Sequence, residues 1–296
     1  MRSGSTLLRL TLDKLPNVVG LPETYFFEFA AQTVCDWQEP RARQQVAESW
    51  VNYFTIQRFP IDHASLQARI AAEAASWRDL LGLTIAAYTA YKYGDTSPAE
   101  LTWCEKSPPH IFYEQHILSM YPQARLLYLV RDPRAVIASL KSCHWSTANI
   151  VTNAKVWCNG VRQMREDDQR LIVRYEDLVE APMDTLQHIA AFLGTYVPDD
   201  LLEQETHDAV EQRKAKSQAS LEQISTRHRD KWKELLSVPD REGQIVERLC
   251  QEDMKRFGYE EVYMQESRDL RYHVSYATKY AAYLTEALLK RTGLMQ

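Results

Sequence analysis

The sequence predicts an α/β protein built on a P-loop-like parallel sheet flanked by helices, and three observations lead there. Two short, mainly apolar runs, Leu126-Leu127-Tyr128-Leu129-Val130 and Leu171-Ile172-Val173-Arg174-Tyr175, have the character of strands covered by helices on both faces. The stretches between the strand-like runs carry helical periodicity, and right-handed crossovers would bring all strand carboxyl ends to one edge. A turn of small residues, Arg2-Ser3-Gly4-Ser5-Thr6, opens straight into a helical pattern.

Taken in order, Leu7, Leu8, Leu10, Leu12 and Leu15 recur mostly at helical spacing over residues 5–15, and Pro16 stops that helix. Val18-Val19 reads as a short strand closed by Leu21-Pro22-Glu23-Thr24. Residues 41–93 fit two or three helices, with Val46, Trp50, Tyr53, Phe54, Leu66, Ile70, Ala74, Trp77, Leu80 and Leu81 on their buried faces. Gly94-Asp95-Thr96-Ser97-Pro98 is a turn, and Leu101-Thr102-Trp103-Cys104 is a strand ending at Glu105-Lys106. Further helices are expected over residues 113–120, 135–142 and 153–168. On this reading four strand ends deliver Glu23, Lys106, Arg131 and Tyr175 to a common rim, the edge where ligands bind in open sheets. Near the C-terminus, Tyr272, Tyr276, Tyr280 and Tyr283 with Leu284, Leu288 and Leu289 form a stripe at helical spacing. It is expected to pack on its own domain; a homodimer contact or a lid are the sharper alternatives.

Composition narrows the function. With 296 residues, 45% of them hydrophobic, the chain can bury a full-sized core, and a net charge of −5 argues against a nucleic-acid surface. Cys35, Cys104, Cys143, Cys158 and Cys250 form no C-x-x-C pair, which reads as reduced thiols in a cytoplasmic protein. No run approaches the ~18 apolar residues of a membrane span. His63, His110, His116, His144, His188, His207, His228 and His273 show no metal spacing, so no metal is expected.

Two motifs carry chemistry. In Arg2-Ser3-Gly4-Ser5-Thr6 a guanidinium, a glycine and hydroxyls precede a helix N-terminus, a ready anion cradle; taken alone, the same residues also fit a solvated tail. The lysine of an ATP or GTP P-loop is absent, which disfavours a nucleotide kinase. In Arg131-Asp132-Pro133-Arg134-Ala135-Val136-Ile137-Ala138-Ser139 a strand stops at an arginine and a helix begins at a proline, so that Arg131 and Ser139 could hold a phosphate; a capped surface loop is the alternative.

In these motifs the chain resembles the sulfotransferases that use 3′-phosphoadenosine 5′-phosphosulfate (PAPS), particularly the bacterial and tyrosylprotein branch. R-S-G-S-T resembles the 5′-phosphosulfate loop and R-D-P-R-A-V-x-x-S the 3′-phosphate motif. Cys104-Glu105-Lys106-Ser107-Pro108, Arg174-Tyr175-Glu176-Asp177-Leu178-Val179 with Phe192-Leu193-Gly194, Lys231-Trp232 and Met254-x-x-Phe257-Gly258-Tyr259 follow in the family order. The resemblance implies the sulfotransferase fold; the apolar strand that normally enters the phosphosulfate loop does not precede Arg2, so a truncated first strand is expected, either because the real start lies upstream or because the strand is missing. It implies a sulfotransferase domain over residues 1–261, within which 41–93 shape the acceptor site, and an amphipathic helix over 262–296.

By the same resemblance Glu23, 21 positions after Arg2 in an E-T pair, is the general base that deprotonates a small-molecule or peptide hydroxyl. Lys106, assisted by Arg2, would stabilise charge growing on the leaving phosphate. Ser3, Gly4, Ser5 and Thr6 would join Arg2 in the loop; Arg131 and Ser139 would take the 3′-phosphate, and Tyr175 and Lys231 the nucleotide, with Ser217 a further candidate. Cys143 stands where that branch carries another phosphate-binding arginine, and Lys141 could substitute. His110 is a rival base, or a hydrogen-bonded structural histidine. The alternative function is a catalytically impaired nucleotide-binding or interaction protein of the same fold.

Overall fold

The computed structural model describes residues 2–94, 101–143, 146–203, 229, 232–236, 241–263 and 270–291. The chain folds as two compact units: an N-terminal unit of residues 5–126 and 186–224, and a C-terminal unit of residues 1–4, 127–185 and 225–296.

The N-terminal unit opens with α1 (Ser5–Leu12) and β1 (Val18–Leu21). The helix tightens into i→i−3 turns at Lys14 and Leu15 and ends before Pro16, which has no N–H to continue it; Asn17 then turns the chain with a φ of 57°, and Asp13 Oδ1 accepts the Gly20 N–H at 2.6 Å. Arg9 donates from Nη1 to the Gly20 carbonyl at 2.8 Å. A Cβ on Gly20 would lie 3.0 Å from the Arg9 carbonyl oxygen and from Asp13 Cβ, so glycine is what lets α1 lie directly against β1. Lys92 completes the clamp by pairing with Asp13.

A short helix absent from the sequence reading, α2 (Phe26–Gln32), follows β1. It starts from Tyr25 in the left-handed region, a backbone state with little sequence signature outside glycine and asparagine. Residues 41–93 then supply α3 (Pro40–Val51), α4 (His63–Glu73) and α5 (Trp77–Tyr93). Glu39, Asp62 and Ser76 cap these helices by accepting backbone N–H groups of the first turn. Their inner faces enclose Trp50, Phe26, Leu80 and Leu81. Trp50 meets Phe26 edge-on with centroids 5.7 Å apart, and its indole N–H is satisfied by Thr84 Oγ1 at 2.9 Å. Next come β2 (Thr102–Glu105), a 3-10 turn over Pro108–Phe112, and α6 (Glu114–Met120).

The C-terminal unit contains β3 (Leu126–Val130), α7 (Pro133–Lys141), α8 (Ile150–Gln163), β4 (Arg170–Arg174) and α9 (Tyr175–Glu180); α10 (Pro182–Leu193) follows, its residues 186–193 belonging to the N-terminal unit. After these come α11 (Trp232–Leu235), α12 (Glu242–Arg256) and α13 (Leu270–Arg291). The terminal helix packs on its own unit: Glu286 accepts from Thr147 and Thr152 hydroxyls at 2.9 and 2.7 Å, and the Lys155 ammonium lies 4.1 Å from the Tyr283 ring centre.

β1 and β2 pair in parallel, with Leu21 opposite Glu105. The described strands form two two-stranded sheets, β1 with β2 and β3 with β4, where the sequence reading expects one. A continuous sheet needs a strand hydrogen-bonded to both pairs, and none of the described residues forms one. No helix among the described residues is long and apolar enough to cross a membrane, and no His, Cys, Asp and Glu cluster of metal-holding geometry occurs among them.

Candidate functional site

The N-terminal unit brings three of the expected site residues together. Because Leu21 and Glu105 are in register at the carboxyl ends of parallel strands, Glu23 and Lys106 leave the sheet on the same edge. Lys106 Nζ donates to Glu23 Oε1 and, at 3.2 Å, to Thr6 Oγ1 in the first turn of α1. The ammonium therefore joins the expected base to the expected anion loop. Both side chains are partly shielded, 15% exposed for Lys106 and 26% for Glu23, which strengthens their attraction relative to open water.

Beneath this pair lies a carboxylate that the sequence reading left without a role. Glu105 Oε1 accepts from the Thr24 N–H at 3.0 Å, the Thr24 hydroxyl at 2.7 Å and the Ser107 hydroxyl at 2.6 Å. Its Oε2 lies 2.7 Å from His110 Nδ1. Burial alone would raise the Glu105 pKa, but the His110 imidazole, the Ser107 hydroxyl and the Thr24 N–H outweigh it and hold the group at about 2. His110 is itself buried, edge-on to Phe27 with centroids 5.0 Å apart. Its Nδ1 thus faces a buried carboxylate.

Tyr25 lies close enough to Glu23 to feel its charge: burial first, then the Glu23 and Glu28 carboxylates, push its phenol up to about 12. Its ring meets Phe54 at 5.3 Å, and Phe54 is 48% exposed.

The C-terminal unit gathers the phosphate-binding candidates. Gly4 has a φ of 91°, and a Cβ there would lie 2.5 Å from Tyr175 Cδ2, so the start of the loop is shaped around the tyrosine ring. Arg2 donates from Nε to Ser139 Oγ at 3.0 Å. Arg131 donates from Nη1 to the Arg2 carbonyl at 3.4 Å, and its guanidinium stacks 4.1 Å from the Tyr175 ring centre. Trp157 Nε1 donates to the Arg131 carbonyl at 3.0 Å. Burial pulls the Arg131 pKa below the ordinary guanidinium value, opposed by Tyr175 and Glu176. Two guanidinium groups and a hydroxyl are thereby set side by side, a donor array suited to a phosphate. Ser3 lies at the bend and Ser5 is the first residue of α1. Lys231 and Ser217 lie outside the described residues.

The rest of the R-D-P-R segment builds the support. Asp132 caps α7 by accepting the Arg134 N–H at 2.8 Å, and Pro133 sits at the first helical position. The Arg134 guanidinium is 5% exposed and ion-paired with Asp132 and Glu247, each at 2.6 Å. Glu176, next to Tyr175, accepts the Asp132 N–H at 3.0 Å and the Tyr259 hydroxyl at 2.8 Å. The two arginines of one motif thus have different surroundings: Arg131 lies against Arg2 and Tyr175, and Arg134 is buried between two carboxylates. Lys141 is not turned to the phosphate candidates but pairs with Glu242 at 2.5 Å. Cys143 directs Sγ to the Ser139 carbonyl at 3.3 Å. Glu247 escaped the sequence reading because no local pattern marks a partner 113 positions from Arg134. Glu105 had a signal, a carboxylate at a strand end beside the candidate lysine.

Comparison with known proteins identifies the family. The family model described as "Sulfotransferase family" matches residues 1–199. A protein-tyrosine sulfotransferase of Drosophila melanogaster is 24% identical over 218 residues, covering 69% of this chain and 38% of that protein. Carbohydrate sulfotransferase 3 of Tetronarce californica is 26% identical over 162 residues, covering 46% of this chain and 36% of the relative. The chain thus spans well under two thirds of the length of these two relatives. Among solved structures, the sulfotransferase domain from the curacin biosynthetic pathway superposes with a TM-score of 0.57 at 20% identity, over 88% of this chain and 95% of that one, which establishes a common fold. The chain belongs to the sulfotransferase family.

Proposed function

We propose that this protein transfers a sulfuryl group from PAPS to an acceptor hydroxyl by in-line displacement, with Glu23 as the general base. The observation that carries the proposal is the contact of the Lys106 ammonium with both the Glu23 carboxylate and the Thr6 hydroxyl. Glu23 takes the proton as the acceptor oxygen bonds to sulfur. Lys106 offers positive charge to the oxygen that bridges sulfur and phosphate, which gains electrons as its bond to sulfur breaks. The leaving product is 3′-phosphoadenosine 5′-phosphate.

The residues present suit such a donor. The Arg2–Thr6 turn combines a glycine in the left-handed region with the free N–H groups of the α1 N-terminus, as a 5′-phosphosulfate requires. Arg131 and Ser139 suit the 3′-phosphate. The Arg2 guanidinium lies on Ser139, which supports a share for Arg2 in that grip beside the assisting role expected for it. Tyr175, stacked on Arg131, offers a ring to the nucleotide.

The test is release of 3′-phosphoadenosine 5′-phosphate from PAPS across a panel of hydroxyl acceptors, together with calorimetric binding of that product. Glu23→Gln is expected to abolish turnover while binding the product as the wild type does, and Arg131→Ala to weaken binding at least tenfold. Unchanged binding in Arg131→Ala would overturn the site assignment. Binding without turnover in the wild type on every acceptor would favour a nucleotide-binding role without catalysis.

A further inference from the structure

We infer that Glu105 is a positioning residue of the transfer reaction, its buried carboxylate holding Glu23 and Lys106 in the register in which they meet. The inference rests on the roles proposed above for those two residues.

Glu105 ends β2, and its side chain is 2% exposed. Its carboxylate binds the residue after Glu23 through both N–H and hydroxyl of Thr24, and the residue after Lys106 through the Ser107 hydroxyl. Ser107 Oγ in turn accepts the Tyr25 N–H at 2.9 Å. One carboxylate therefore fastens together the two chain segments that carry the base and the lysine, 81 positions apart for the Thr24 bonds. Thr24 is fixed from its other side as well: its carbonyl accepts the Thr55 hydroxyl at 2.8 Å, and its own oxygen accepts the Phe26 N–H at 3.1 Å. His110 closes the arrangement at Oε2.

The chemistry of the side chain explains why it is a carboxylate. Three donors converge on Glu105 Oε1 while Oε2 lies 2.7 Å from His110 Nδ1, and an ionised carboxylate only accepts. A glutamine of the same shape keeps an oxygen for those three donors only by turning its NH2 to His110 Nδ1, which must then be the unprotonated ring nitrogen. Catalytic groups keep their geometry when a second layer of hydrogen bonds fixes them, and a misplacement of about 1 Å costs on the order of 100-fold in rate.

The experiment uses the full chain with Glu105→Gln, and with Thr24→Val, which removes one donor at constant shape, beside Thr24→Ser, which keeps it. With folding verified by thermal melting, kcat is expected to fall about 100-fold in Glu105→Gln and about tenfold in Thr24→Val. It should recover in Thr24→Ser, with the Kd for 3′-phosphoadenosine 5′-phosphate within twofold of wild type throughout. A second readout does not depend on turnover: acetic anhydride labelling quantified by mass spectrometry should show Lys106 several-fold more reactive in Glu105→Gln, relative to exposed Lys290. Unchanged kcat and unchanged Lys106 labelling in the folded variants would overturn the inference. So would a kcat loss matched by an equal loss of nucleotide affinity and not recovered by Thr24→Ser, the mark of general loosening. If the wild type shows no turnover, the functional reading fails and the Lys106 labelling alone decides the role of Glu105.

Discussion

Replacing Gly4 by alanine puts the loop geometry to the most direct test. The Gly4 φ of 91° lies where an L-residue is strained, at about 1–2 kcal/mol. The added Cβ would also stand 2.5 Å from Tyr175 Cδ2 and 2.7 Å from Cε2, against an ordinary contact of 3.4 Å or more. Loop or ring must therefore move by about 0.9 Å. The ring cannot yield freely, because Tyr175 is 4% exposed and carries the Arg131 guanidinium on its face. If about 2 kcal/mol of this strain opposes the binding-competent loop, affinity falls about 30-fold, since each 1.4 kcal/mol is a factor of ten. Calorimetric titration with 3′-phosphoadenosine 5′-phosphate measures it. Combining Gly4→Ala with Tyr175→Ala removes every ring atom within reach of the new Cβ and leaves only the backbone strain, so the double variant should bind better than the sum of the single losses predicts. A Gly4→Ala protein that binds within twofold of wild type, or losses that simply add, would refute the account of the loop.

Two further outcomes concern the framework. Arg134→Met strands the Asp132 and Glu247 carboxylates, 10% and 0% exposed, and should cost about 3–5 kcal/mol, read as a lower urea midpoint at unchanged slope; an unchanged midpoint would contradict a structural role for this arginine. Glu105, held at about 2 against an ordinary 4.5, stabilises the fold fully above pH 4.5, and that contribution is lost as pH falls through 2, because the unfolded chain binds the proton more readily. The difference is worth about 3 kcal/mol, so urea midpoints from pH 6 to pH 2.5 should fall more steeply in wild type than in Glu105→Gln. Parallel curves would count against it.

Much of the site was legible in the sequence because its signals are local. An apolar five-residue run ending in Arg131-Asp132-Pro133 announces a strand feeding a helix, and the structure places β3 and α7 there. The turn before α1, the pair Glu23-Thr24 and the lysine after β2 were each visible as short patterns. The helix over Phe26–Gln32 was not, since it begins from a left-handed tyrosine rather than a recognisable cap. The expectation of one sheet came from the alternation of strands and helices, whereas the ladders that form depend on which strands have a hydrogen-bonding neighbour.

The sequence by itself determined the chemistry available: a glycine and hydroxyls at a helix start, a carboxylate and a lysine at strand ends, and an arginine and serine eight positions apart around Pro133. Those assignments depend on residue type and short spacing, which folding does not alter. Only the tertiary structure decided which neighbours each charge meets. Arg131 and Arg134 stand three positions apart, yet one stacks on Tyr175 and the other is buried between Asp132 and Glu247. Lys106 and Glu105 are adjacent, yet one reaches Thr6 and Glu23 while the other turns inward to Thr24, Ser107 and His110. Successive side chains at a strand end point to opposite faces, and strand register with partners far along the chain then sets what each face meets.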